Sequence, residues 1–552
     1  MANRLHTRTV LGCLAVAMIV LPSCTGINDC HDDETACAAL LNGHGKACAQ
    51  AYQLKHGEPN RRHCEDAVDF VGDRSVSSAI PGLVSILEEP ESGVPDDNHR
   101  ADAANALGKI GDSSALEPLL AAIDLEAGRG AGLRSKMANR THEEIATALG
   151  RIGDRRATPA LIEMMEKSSS EFVVLEAVRA VGRLRDDAAV EPLEAIALEH
   201  ANKFMRKNAV VALGEIGSPA AVDTLIQMMF IEYQGVSFYR EASFALFQVG
   251  PPAADQLLDT LAMKNEEVNA IFERKRGSHA SAIKAKCGFV LGDLRDSRAL
   301  QPLLEAFQTA IEPRRYDPVV LSYAAPPLGA LGDPKAIPVL TSAMGTLDPA
   351  IRDAAMNALV MIGDPAPAKA MVAMMSREDF LKRCRKLGHS EETCLRETEV
   401  RRTAQEIAGH HASNLAGPSE IDGFQRIVSS EPDEALKSYL SERAVRLEVA
   451  AKCEEDAACW AERLSDPNPL IRERAGWQLR RLRDPSTLDA LAAALSDPDR
   501  KARFAAIHAY WTYGDSRAIP QIERTLDDER SSADFIKVNE DLRRLLVHLR
   551  RS

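Results

Sequence analysis

Aromatic residues are scarce in this sequence: Phe, Tyr and Trp supply 5% of its 552 residues, and only three are Trp. Strands draw heavily on aromatic and β-branched side chains, so the shortage argues against a β-rich fold. Ala and Leu dominate instead, which favours helices packed closely through small residues. Positive charge is also short. Lys and Arg number 67 against 81 Asp and Glu, a formal net charge of −14. Nucleic acid draws its affinity mainly from phosphate neutralisation by Lys and Arg, so it is excluded as the expected partner. Signatures of catalysis are missing as well: there is no Gly-x-Ser-x-Gly, no His-Glu-x-x-His and no phosphate loop. What remains is a foldable composition, 45% hydrophobic and 27% charged, with a length that by itself suggests about three or four domains.

The N-terminus carries an export signal. Arg4 and Arg8 precede the apolar run "VLGCLAVAMIVL" (10–21), which is too short to span a bilayer and has the proportions of a signal peptide. The following "LPSC" (21–24) resembles the bacterial lipobox through Leu21, Ser23 and Cys24, with Pro22 a departure. The resemblance implies removal of residues 1–23 and a lipid on Cys24, and Thr25 beside it implies outer-membrane sorting. An ordinary secretory peptide, with Cys24 in a disulfide, is the alternative.

A motif of the form "ALGRIGD" recurs. Its first residue stands at 106, 148, 180, 212, 245, 290, 327, 358, 478 and 509, an underlying period of roughly 32 with extra residues in some units. Each unit reads as two helices. Ala104, Leu107 and Ile110 share one stripe, and Leu116, Leu119, Leu120 and Ile123 form the next. Gly111 fits the left-handed position that ends the first helix, and Asp112 fits the cap of the second. Gly108, Gly150 and Gly214 lie one turn earlier, where a missing side chain lets helices approach. A glycine pattern written this often is architecture, not a phosphate cradle. One hairpin leaves its apolar face exposed, but a stack of them encloses a continuous core. The pattern A-L-G-x-I-G-D-x-x-A-x-x-x-L at 106–119 and 148–161 resembles the HEAT family, in the short bacterial form also found in phycobilin lyases. It implies an all-α fold, an α-solenoid built as a superhelical stack of HEAT-like hairpins. The expected organisation is a signal peptide at 1–23, a Cys-rich tether and helical cap at 24–65, and repeats at 66–376. Irregular, disulfide-bearing repeats follow at 377–465, then repeats and a terminal cap at 466–552. Tyr510, Trp511 and Tyr513 suit that cap, with an aromatic binding patch as the alternative.

Export permits disulfides. Cys384 and Cys394 flank "KLGHS", and Cys453 and Cys459 flank "EEDAA". Along an unbroken helix these separations, about 15 and 9 Å, exceed the reach of a bridge, so each pair must straddle a turn. Gly388 offers one. Cys37 and Cys48 are expected to pair around "NGHG" (42–45), leaving Cys30 with Cys64, although four cysteines allow three connectivities. Zinc at His31, His44 or His63 matches no compact ligand spacing, and no metal or other cofactor is expected. Cys287 aligns with Ile145, Ala177 and Ala209, which implies an inert buried thiol.

Deoxyhypusine hydroxylase resembles this fold and holds its metals through several His-Glu pairs. Here the one such pair is His142-Glu143, read as a solvent-facing helix start. "CHDDE" (30–34) reads as a solvated tether, and His410-His411 has Asn414 and Leu415, not a carboxylate, one turn on. The extra residues fall in equivalent turns, after 119–123 and 257–262 and at 231–238 and 310–317, and so project from one edge. Two of these insertions are basic: Arg129, Arg134, Lys136 and Arg140 in the first, and Arg274, Lys275 and Arg276 within the second. These residues are either simple flexible loops or the candidate contact for an acidic protein partner or an anionic envelope polymer. The expectation is a non-catalytic lipoprotein of the bacterial envelope, a scaffold or assembly factor that binds other proteins and reaches the membrane through its N-terminal lipid. The rival is an envelope enzyme whose site is assembled from several repeats.

Overall fold

The computed structural model describes residues 30–551 apart from 31–32, 55–57, 91–93, 95–96, 274–278, 347, 387, 389, 397 and 529–535. The expected signal peptide at 1–23, Cys24 and the trio Arg274, Lys275 and Arg276 therefore lie outside the described residues. The rest is helical throughout except for one two-stranded hairpin, Glu232–Tyr233 against Val236–Ser237. Its turn is Gln234-Gly235, with φ of 50° and 73°, as a tight hairpin requires. No described helix is long and apolar enough to cross a membrane. The chain divides into two compact units, one ending at Ala189 and the other beginning at Val190.

The repeated motif builds the same corner at most of its copies. The His99–Ile110 helix ends on Gly111 at φ 72°, a conformation that costs other residues about 1 kcal/mol or more. Asp112 then accepts a hydrogen bond from the Ser114 N–H at 2.8 Å. It caps a single 3-10 turn, Ser113–Ala115, which runs straight into the Leu116–Ala121 helix. That helix stops before Ile123, so the second apolar stripe is shorter than its spacing suggests. Asp154, Asp296, Asp333, Asp484 and Asp515 cap their turns in the same way. The glycine one turn earlier does what close packing demands. A Cβ on Gly108 would stand 2.6 Å from Ala148 Cα, and one on Gly150 2.9 Å from Ala180 Cα.

In the first unit, the Glu34–Ala51 helix passes through "NGHG" with only a kink at His44. This overturns the expected Cys37–Cys48 and Cys30–Cys64 bridges. Eleven residues of helix separate Cys37 from Cys48 by about 16 Å, beyond disulfide reach. Cys37 instead closes on Cys30, just before the helix, and Cys48 on Cys64 of the neighbouring Pro59–Asp73 helix. "CHDDE" is not simply a tether either, because Asp33 caps this helix through the Ala36 N–H at 2.7 Å. In the second unit, Cys384–Cys394 joins Arg377–Lys386 to Glu391–Arg396 across a turn at Gly388 (φ 90°). Cys453–Cys459 joins the end of Glu434–Cys453 to Ala457–Arg463.

The second unit has a feature that a linear repeat count does not contain. Its last helices return to its first ones. Arg544 of the Ile536–Arg551 helix ion-pairs with Asp293 at 2.9 Å, and Arg551 donates to the carbonyls of Phe247 and Gln248. Arg240 ion-pairs with Glu540. Trp511, expected in a terminal cap, packs against Phe247 with ring centres 5.9 Å apart, in a core shared with Tyr510, Leu545 and Leu549.

Candidate functional site

This return leaves the inner face of several helices looking across a common space. Relative to the first residue of each motif, the positions one and five residues earlier face inward. They are Asn357 and Asp353, Trp477 and Glu473, and His508 and Phe504. Asp353, Asn357, Glu473, Trp477 and Phe504 line a pocket of about 350 Å³, together with His410, His411 and Lys501. Trp477, Phe504 and His508 form one aromatic wall, with Phe504 and His508 4.4 Å apart.

One turn from Trp477 on the same Pro469–Leu482 helix, Glu473 belongs to a polar nest. Arg446 is wholly buried. It pairs with Glu473 and donates to the Leu470 carbonyl at 2.8 Å and to Ser413 Oγ at 2.9 Å. Asn414 donates to Glu473 at 3.0 Å. Burial by itself would raise the Glu473 carboxyl, but the Arg446 guanidinium and His410 more than offset it and hold Glu473 far below the usual carboxylate range. Burial drives His410 the other way, down to about 4 despite Glu473 beside it. Its ring is therefore neutral at pH 7, with the Arg446 guanidinium 3.3 Å from Nδ1 and both Glu473 and Lys501 3.3 Å from Nε2. His411 Nε2 meets Asp353 at 2.8 Å. Arg474, also buried, donates to the carbonyls of Ser413 and Ala416. Buried charges must be paired and hydrogen-bonded to be tolerated, and Glu473 and Arg446 are. Among the described residues no three His, Cys, Asp or Glu side chains are placed to hold a metal ion.

The sequence-derived candidates are scattered by comparison. His142 does not start a helix. The insertion before it lengthens the helix, which begins at Leu133, so His142 sits mid-helix, buried, and accepts the Asp124 N–H at 3.1 Å. Burial, then the nearby Arg100, push it down to about 4. Arg129 is engaged by Glu126 at 3.0 Å and Arg140 lies 4.0 Å from Glu144, while Arg134 and Lys136 are exposed on the first turn of that helix. Cys287 is fully buried, and burial pushes its thiol far up, as an inert core position requires. Asp353, Arg446, Glu473 and Lys501 were missed. Their signal was a registered one: Asp353 and Glu473 are carboxylates at the same place in two repeats, five residues before the motif.

The HEAT-repeat model matches residues 126–203, 173–230, 314–385 and 458–534, and the PBS lyase HEAT-like repeat model matches 100–124. Together they span just over half of the sequence. The chain belongs to the HEAT repeat family. No curated protein matches the sequence. Among solved structures, this HEAT-repeat protein is similar to human deoxyhypusine hydroxylase at 21% identity, covering 53% of this chain and 98% of that one, with a TM-score of 0.22. It is similar to the CpcE–CpcF complex of phycocyanin lyase from Nostoc sp. at 22% identity, covering 44% and 88%, with a TM-score of 0.23. Yeast importin-beta matches at 14% identity over 94% of this chain and 72% of that one, with a TM-score of 0.37.

Proposed function

We propose that this HEAT-repeat solenoid is an exported lipoprotein, anchored through Cys24, that acts by holding a protein partner and carries out no reaction of its own. The observation that supports this best is the exposure of large apolar side chains in register. Phe204 and Val319 both stand eight residues before their motif, on the first turn of the inner helix, and are 64% and 45% exposed. Tyr323, one turn on from Val319, is 50% exposed. In the other unit Phe172 occupies the same register. In a chain so poor in aromatics, rings spent on solvent-facing turns are suited to anchoring a partner, since buried aromatic anchors carry most interface energy. Arg134 and Lys136, exposed and without an ion pair among the described residues, suit a partner with acidic character.

The test is affinity capture of the native protein from solubilised membranes, repeated with Phe204→Asp and Tyr323→Asp. The expected result is loss of a co-purifying protein from one or both variants at unchanged helicity. Full retention by both would sink the partner reading. Cys24→Ala should release the chain from the membrane fraction; a membrane-bound Cys24→Ala protein would remove the anchor. A second reading, catalysis across repeats, draws on one observation, the His411–Asp353 pair on a pocket wall beside Glu473. It requires that His411→Gln abolish a turnover that the partner-surface variants retain.

A further inference from the structure

Two arginines depart from the repeat's own rule. Where Gly332 and Gly363 end helices in the left-handed region, Arg295 and Arg483 do so with φ of 53° and 55°. Arg185 shares that backbone in the other unit with its side chain in the open, so position alone explains nothing. What sets Arg295 and Arg483 apart is convergence. Both line one open pocket of about 420 Å³, with Trp511, Tyr513 and His548. Arg295 lies 4.9 Å from the Trp511 ring centre, and His548 stacks on the same ring at 4.9 Å.

The surroundings are short of negative charge. Among the described residues neither arginine's guanidinium has a hydrogen bond or ion pair, although both backbone N–H groups close their helices. Arg480 is also buried nearby. Its Nη2 reaches the Gly329 and Ala330 carbonyls at 3.4 and 3.5 Å, and its Nη1 has no partner. Burial, then Arg295 and Arg483, lower Arg480 to about 9, and burial lowers Arg295 to about 10. The acid acting on Arg295, Asp293, is engaged by Arg544. Two guanidinium groups thus line one pocket of an acidic protein, with a third nearby, and no described Asp or Glu lines it with them.

We infer that this pocket binds a phosphate dianion, with Arg295 and Arg483 holding its oxygens and the open mouth admitting an organic substituent. Phosphate fits better than a carboxylate because two unpaired guanidinium forks are matched by two charges and several acceptor oxygens. This site is independent of the partner surface at Phe204 and Tyr323.

The experiment is titration of the mature chain with inorganic phosphate at low salt, followed by ³¹P line width and calorimetry. Saturable binding to one site is expected, weakened at least five-fold in Arg483→Gln and at least ten-fold in Arg295→Gln. Arg298→Gln, whose parent residue is tied to Asp296 and Asp255, should bind as the parent does. If Arg295→Gln fails to fold, Arg483→Gln decides, because its side chain is exposed. No saturable binding, or unchanged binding in Arg483→Gln, overturns the proposal. Sedimentation with phosphatidic acid vesicles separates the sources: loss of vesicle binding in Arg483→Gln assigns a lipid headgroup, and unaffected vesicles with weakened inorganic phosphate assign a soluble ligand.

Discussion

At the scale of single residues, the polar nest behind His410 governs how the second unit answers to pH and to mutation. Arg446→Met would leave Glu473 buried without its guanidinium, and removing one member of a buried pair typically costs about 3–5 kcal/mol. Urea midpoints should show that loss, with partial recovery when Glu473→Gln is added. Histidine sets the acid limit. His410 titrates near 4 in the fold, against about 6.5 in an unfolded chain. A depressed value means that the stabilising contribution is complete above pH 6.5 and is lost as pH falls toward 4. Between pH 7.5 and pH 5 that amounts to about 2 kcal/mol from His410. His410→Gln should therefore show a flatter stability profile over this range, measured by chemical denaturation at each pH; an unchanged slope would contradict the buried neutral ring. Glu473 acts lower, its contribution fading only below the ordinary glutamate range. None of these residues stood out one at a time in the sequence. His410 and His411 were visible as a pair, but their carboxylates, Glu473 and Asp353, come from other repeats more than fifty positions away.

At the scale of elements, most of the structure was legible. Gly111, Asp112 and the alanine that closes most of the turns are local chemistry: a left-handed helix end, a side-chain cap and a buried methyl. Such features follow from neighbours in sequence, and they recur at most copies of the motif. The cysteines show where locality ends. Cys384–Cys394 and Cys453–Cys459 span turns that their own segments announce. The N-terminal pairing depended on whether a helix survives "NGHG", and it does, with a kink. Non-reducing peptide mapping should recover Cys30–Cys37 and Cys48–Cys64, and a Cys37–Cys48 peptide would overturn the helix through His44. Replacing Cys453 and Cys459 by Ala should cost about 2 kcal/mol, the loop-closure value for so short a bridge, read as a drop in the unit's thermal midpoint.

At the scale of the second unit as a whole, the decisive event is the return of its last helices to its first. Trp511 is the keystone of that seam, touching Phe247, Arg295 and His548. Trp511→Ala should cost about 3–5 kcal/mol as a large-to-small core change. It should also raise hydrogen exchange together in the Tyr239–Val249 and Ile536–Arg551 helices. Faster exchange in the second helix alone would mean that the seam does not hold the first. Both pockets depend on this closure, since their walls come from repeats distant in sequence.

The sequence by itself determined the repeat, its helical corners and the close approach of small residues, because each of these rests on contacts between near neighbours. Tertiary structure alone decided which inward-facing positions meet across the second unit. It brought Glu473 to Arg446 and His410, Arg295 to Arg483, and Trp511 to Phe247. A periodic pattern fixes what each repeat presents to its interior, but not which repeats of the second unit meet.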